Sequence, residues 1–150
     1  MKQYIGTKVI QARPMTRGEY NKYRGWPIPA DESPYDDGYL VAYPDDYVSW
    51  SPKDVFEDAY CETDAMNFGM AIEAMKKGYR VARKGWNGKD MYVFLAYEAD
   101  FVTDADISAF DQLDVEVSDM LVMKTAQDTF QPGWLASQAD MLADDWYIIW

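Results

Sequence analysis

Arg83-Lys84-Gly85-Trp86-Asn87-Gly88-Lys89 brings an indole, a side-chain amide and three cations into one short stretch. A flat aromatic face, an amide fork and positive charge are what a nucleobase joined to a phosphate needs from a protein. The same residues fit an ordinary hairpin with a half-buried Trp and a solvated cationic rim, so this motif alone leaves both readings open. The elements around it place it at a turn. Tyr79-Arg80-Val81-Ala82 reads as a strand before it, and Met91-Tyr92-Val93-Phe94-Leu95 as a strand after it. Asn87-Gly88 predicts a type I′ hairpin turn between them, because that turn needs φ > 0 at both central residues.

The chain of 150 residues carries a net charge of −12. Such acidity argues against general DNA binding through phosphate neutralisation and against an anionic membrane surface. No run of eighteen apolar residues could span a bilayer. The start, Met1-Lys2-Gln3-Tyr4-Ile5-Gly6-Thr7-Lys8, lacks the apolar core of a signal peptide. Cys61 is the only cysteine, which rules out an intrachain disulfide and fits a reducing compartment. Histidine is absent, removing the commonest general base and the usual zinc ligands. The cations are concentrated. Lys76, Lys77, Arg80, Arg83, Lys84 and Lys89 surround the hairpin, and Lys2, Lys8, Arg13, Arg17, Lys22 and Arg24 lie near the start. Only Lys53 and Lys124 fall outside these groups.

Residues 1–62 read as a βαββα unit. Tyr4 to Ile10 forms a strand ended by Pro14. Thr16-Arg17-Gly18-Glu19 has capping-box spacing, and Gly25 closes the short helix that follows. Gly38 to Tyr43 and Tyr47 to Trp50 pair around Pro44-Asp45-Asp46. Ser51-Pro52-Lys53-Asp54 starts a second helix, with Ser51 as N-cap and Pro52 at N1.

Residues 63–150 read as a second unit. Asn67 caps a helix whose Phe68, Ala71, Ile72 and Met75 make one apolar stripe, and Gly78 ends it. Glu98 to Asp119 carries eight acidic residues and no basic one, which reads as a solvated excursion with a short helix at Ile107, Phe110 and Leu113. Met120 to Thr125 is a buried-type strand, and Asp128-Thr129 turns it toward Phe130. Ser137-Gln138-Ala139-Asp140 again has capping spacing, and Asp145 to Ile149 closes as a strand. The fold class is α+β: two small antiparallel-sheet units, each with short helices. Cores this small favour burial of aromatic surface between copies, so an oligomer is expected.

The first unit resembles a module common in small phage and prophage proteins, through Pro14-Met15-Thr16-Arg17, Tyr23-Arg24-Gly25-Trp26, Gly38-Tyr39-Leu40-Val41 and Tyr47-Val48-Ser49-Trp50-Ser51-Pro52. No activity follows from that resemblance. In the second unit, Met66-Asn67-Phe68-Gly69, Val81 to Gly88, Met123-Lys124-Thr125 and Trp134 to Trp146 occur in an order and spacing similar to the second Thoeris anti-defence family of phage proteins. That resemblance covers residues 66–149. The long acidic excursion and the added first unit depart from the plainest members.

The resemblance implies a molecular sponge, acting in the cytoplasm of the infected host. It implies binding without cleavage of a cyclic nucleotide immune signal of glycocyclic ADP-ribose type, no cofactor, and assembly as a homotetramer with pockets between subunits. Some members also hold cyclic oligonucleotides at a separate site. On this reading Trp86 and Trp134 stack on rings, and Asn87 and Gln138 read base or ribose edges. Ser137 and Thr125 offer hydroxyls and N–H groups to phosphate, and Arg83, Lys84 and Lys124 neutralise a pyrophosphate. Asp140 either accepts a ribose hydroxyl or completes the cap with Ser137; Phe68 belongs to the core. Three rival readings stand beside it. One is a hydrolase, which without His would need paired carboxylates or a metal. The others are an acidic protein-binding decoy and a purely structural phage protein.

Overall fold

The computed structural model describes residues 1–3, 7–97 and 118–150. The start of the expected first strand, the bulk of the acidic excursion and its expected short helix lie outside the described residues. The chain divides into two compact units, Met1–Cys61 and Glu62–Trp150. Together they carry two antiparallel sheets and a few short helices, an α+β arrangement.

The first unit is the βαββα pattern. Strand β1 (Gln11–Pro14) pairs with β2 (Gly38–Ala42), and β2 with β3 (Val48–Pro52), all antiparallel. The first strand therefore lies later than expected, since residues 7–10 have no strand geometry. It is the pairing with β2 that defines it. Helix α1 (Arg17–Arg24) starts on the predicted capping box: Glu19 N–H donates to Thr16 Oγ1 at 3.3 Å, and Thr16 N–H to Glu19 Oε2 at 2.8 Å. Gly25 ends it in the left-handed region. Helix α2 (Lys53–Ala59) corrects the expected start. Pro52, not Ser51, occupies the cap position, and no side chain caps it. Ser51 is held in strand register opposite Tyr39, so it is not free to cap. Phe56 of α2 stacks on Tyr39 and Tyr60, at 4.2 and 5.0 Å between centroids.

In the second unit, helix α3 (Phe68–Lys76) begins where Asn67 Oδ1 accepts the Met70 N–H at 3.0 Å. It ends at Gly78, φ +86°. Strands β4 (Arg80–Arg83), β5 (Tyr92–Ala96), β6 (Met120–Lys124), β7 (Phe130–Pro132) and β8 (Trp146–Ile149) form one sheet. Its order is β7-β6-β5-β4-β8, antiparallel throughout. The apolar stripe of α3 lies on this sheet. Ala71, Ala74 and Met75 pack with Val81, Val93, Met123, Ile148 and the fully buried Trp146. Each buried Val, Ile or Met side chain among them contributes roughly 1.5–3 kcal/mol by leaving water.

The last strand is inserted beside β4, with Arg83 opposite Trp146. The loop leaving β4 and the connection entering β8 therefore emerge at the same end of the sheet. Helix α4 (Gln138–Met141) sits just before that connection and packs beside α3.

Candidate functional site

The β4–β5 connection is not the expected two-residue turn. Residues 84–91 form the loop, and neither Asn87 nor Gly88 has positive φ; Asp90 does, at 55°. The loop is drawn inward by its contacts. Gly85 N–H donates to Asp145 Oδ2 at 2.7 Å. Gly88 packs so closely that a Cβ there would overlap the Met91 sulfur and lie 3.2 Å from the Ala126 Cβ.

Arg83 and Asp140 hold this corner together. The guanidinium donates from Nε to Asp145 Oδ1 and from Nη1 to Asp140 Oδ1, both at 2.8 Å. Asp140 Oδ1 also accepts the Trp86 indole N–H at 3.0 Å. Its Oδ2 accepts Ser137 N–H at 2.9 Å and the Ser137 hydroxyl at 2.7 Å. Ser137 Oγ in turn accepts the Asp140 N–H at 3.1 Å, completing a capping box. The Asp140 backbone carbonyl takes the Trp146 indole N–H at 3.0 Å. Burial opposes ionisation of Asp140, but the hydrogen bonds from Ser137, Arg83 and Trp86 outweigh it and hold its carboxyl down at about 2. The hydrogen bond from Arg83 likewise lowers Asp145, against the effect of burial. Hydrogen bonds to Asp145 and Asp140 raise Arg83 further above its ordinary range.

Three indoles meet edge to face above the core. Trp86 and Trp146 lie 5.3 Å apart, Trp86 and Trp134 6.1 Å, and Trp134 and Trp146 6.3 Å, with interplanar angles from 72° to 76°. This is the arrangement that ring quadrupoles favour.

A cleft of about 380 Å³ opens beside this corner. Trp86, Tyr147, Met91 and Gly88 line it, together with Arg83, Lys84, Asp64 and Asp90. Of the expected site residues, the cleft thus gathers Arg83, Lys84 and Trp86. Asn87 is exposed in the same loop. Ser137 and Asp140 are occupied with each other, which gives Asp140 the capping role, and Asp140 also anchors Trp86. Gln138 is exposed in the first turn of α4. Trp134 packs on the core cluster and does not line the cleft. Lys124 and Thr125 do not line the cleft but border it at the β6–β7 turn, where Lys124 Nζ donates to the carbonyl of cleft-lining Asp90 at 3.2 Å. There Lys124 Nζ pairs with Asp128 Oδ1 at 2.6 Å and the Thr125 and Thr129 hydroxyls meet at 2.7 Å.

Asp64, Asp90, Met91, Asp145 and Tyr147 were not legible as site residues. Asp145 follows α4 and reads locally as the end of a helix face. Only its position at the entry to β8, beside Arg83, reveals its part. Among the described residues, no cluster of three Cys, Asp or Glu side chains could hold a metal ion.

The curated protein Thoeris anti-defense 2 of Bacillus phage SP01 is 36% identical over 85 residues, covering 56% of this chain and 94% of that protein. Of the residues lining the cleft, all but Asp64 fall within residues 66–149. Those residues match the model of the Thoeris anti-defense 2-like domain, and the chain belongs to that family.

Proposed function

We propose that this chain acts in phage anti-defence, by binding a cyclic nucleotide immune signal of glycocyclic ADP-ribose type in the cleft beside Trp86 and holding it uncleaved in the host cytoplasm. Membership of the anti-defence family supports the role. The observation that carries the binding reading is Trp86, an indole fixed on two sides and lining an open cleft next to Lys84. A ring stacked on such an indole gains roughly 1–3 kcal/mol, and a fixed wall loses little entropy on binding.

Charge accounting within the second unit refines the roles. Arg83 is matched by two carboxylates and serves to hold the wall. Lys124 is matched by Asp128. Lys84 is the cleft cation available to a phosphate, since its partner Asp64 is 61% exposed and the pair is held only at 3.3 Å. A sponge must compete with an effector, and nanomolar affinity requires about −12 kcal/mol. An open cleft needs further enclosure to reach that. A second copy would supply it, and the exposed Leu135, Met141 and Leu142 around α4 suit burial in a homotetramer.

Calorimetry against cyclic ADP-ribose isomers and cyclic di- and trinucleotides tests the proposal, followed by heat denaturation and chromatography of the released ligand. The expected result is tight binding of a cyclic ADP-ribose isomer, its recovery intact, and binding weakened at least about tenfold by Trp86→Ala. Converted product would instead show an enzyme. No binding of any of these ligands would remove the sponge reading.

A further inference from the structure

We propose that Asp64 is a charge gate on the cleft, occupying Lys84 until a phosphate-bearing ligand displaces it. This rests on the nucleotide-binding reading above. Asp64 Oδ2 lies 3.3 Å from Lys84 Nζ, and both residues line the cleft. The backbone around Asp64 is pinned. Ile148 N–H donates to the Thr63 carbonyl at 2.9 Å, and Met66 and Trp146 exchange N–H···O bonds at 2.8 and 3.1 Å. Asp64 is thereby held along the edge of β8 that faces away from β4, beside Tyr147 in the cleft lining. The two side chains are 55% and 61% exposed, so their ion pair is weak and exchangeable.

The remaining charges make the exchange consequential. Arg83 is already neutralised by Asp140 and Asp145, and Asp90 adds a second carboxylate to the cleft lining. In the free protein Lys84, the lining cation not already matched by two carboxylates, is therefore shared with Asp64. A ligand gains Lys84 only by outcompeting a carboxylate, which a doubly charged pyrophosphate does better than a singly charged anion. A neutral nucleoside uses only the aromatic wall and is indifferent to the exchange. Asp64 precedes the residues matched by the family domain, so this gate comes from the segment leading into it.

The test uses the full chain and three probes: cyclic ADP-ribose, linear ADP-ribose and adenosine. Asp64→Asn keeps the shape and removes the charge. It is expected to tighten both phosphate-bearing probes by about three- to tenfold and to leave adenosine unchanged. The gain is expected to shrink as salt rises from about 50 to about 500 mM, because the pair is exposed. Lys84→Met is expected to weaken the phosphate-bearing probes and to erase the effect of Asp64→Asn in the double variant. Unchanged or weakened binding of ADP-ribose by Asp64→Asn, with wild type binding well, overturns the gate alone. An equal gain for adenosine also overturns it, by pointing to a change of shape. Failure of the wild type to bind any of the three probes overturns the gate, and failure with the cyclic ADP-ribose isomers and cyclic oligonucleotides as well overturns the nucleotide reading.

Discussion

Replacing Asp140 by Asn tests whether one carboxylate organises the cleft wall. The substitution preserves shape and removes the charge and one acceptor oxygen. If the amide oxygen takes the Oδ1 position it keeps Arg83 and Trp86, and the NH₂ group then faces the Ser137 N–H, a donor against a donor. The reverse orientation sets the NH₂ group against the guanidinium and the Trp86 indole N–H. The first arrangement is cheaper, because the Ser137 hydroxyl can rotate to accept. It still forfeits one hydrogen bond of about 1 kcal/mol and reduces a charge-assisted bond of roughly 1.5–3 kcal/mol to a neutral one. The expected loss is about 2 kcal/mol, or a fall in melting temperature of about 10 °C for a unit of this size. Urea unfolding followed by tryptophan emission at neutral pH reads it. As the pH falls toward about 2, the wild-type carboxyl gains its proton and the two proteins should converge in stability. A loss below about 1 kcal/mol at neutral pH, or a gap that persists at low pH, would refute the reasoning.

Other outcomes follow from the same geometry. Asp140 is depressed from 3.8 to about 2, so its contribution of roughly 2 kcal/mol is present above pH 4 and lost as pH falls through 2; a wild-type stability profile over that range should show the decline. Gly38→Ala would drive a Cβ into the Ser51 carbonyl oxygen and the Trp50 ring, and backbone cannot yield cheaply; a loss of about 1–3 kcal/mol should appear as faster amide exchange in β2 and β3. Asn67→Ala removes the acceptor for the Met70 N–H and should cost about 1 kcal/mol in urea unfolding, whereas Asn67→Asp should cost far less.

Sequence alone determined what is settled within a turn of chain. Thr16 with Glu19, Asn67 with Met70, and Ser137 with Asp140 are partners three residues apart, so a hydroxyl, amide or carboxylate at that spacing meets an unpaired N–H wherever the helix begins. The apolar stripe of α3 was equally local, since 3.6 residues per turn brings Phe68, Ala71, Ile72 and Met75 to one side. The order of blocks over residues 66–149 carried the family. Tertiary structure decided the rest. Arg83 meets Asp140 and Asp145 across 57 and 62 residues, and Trp86 meets Asp140 across 54. These partners exist only because β8 enters the sheet beside β4. That placement turned an apparent hairpin tip into an anchored loop, and it set Arg83 against the two carboxylates of which one holds Trp86. A local turn preference yields when a half-buried guanidinium, two carboxylates and three indoles all require the chain to bend inward.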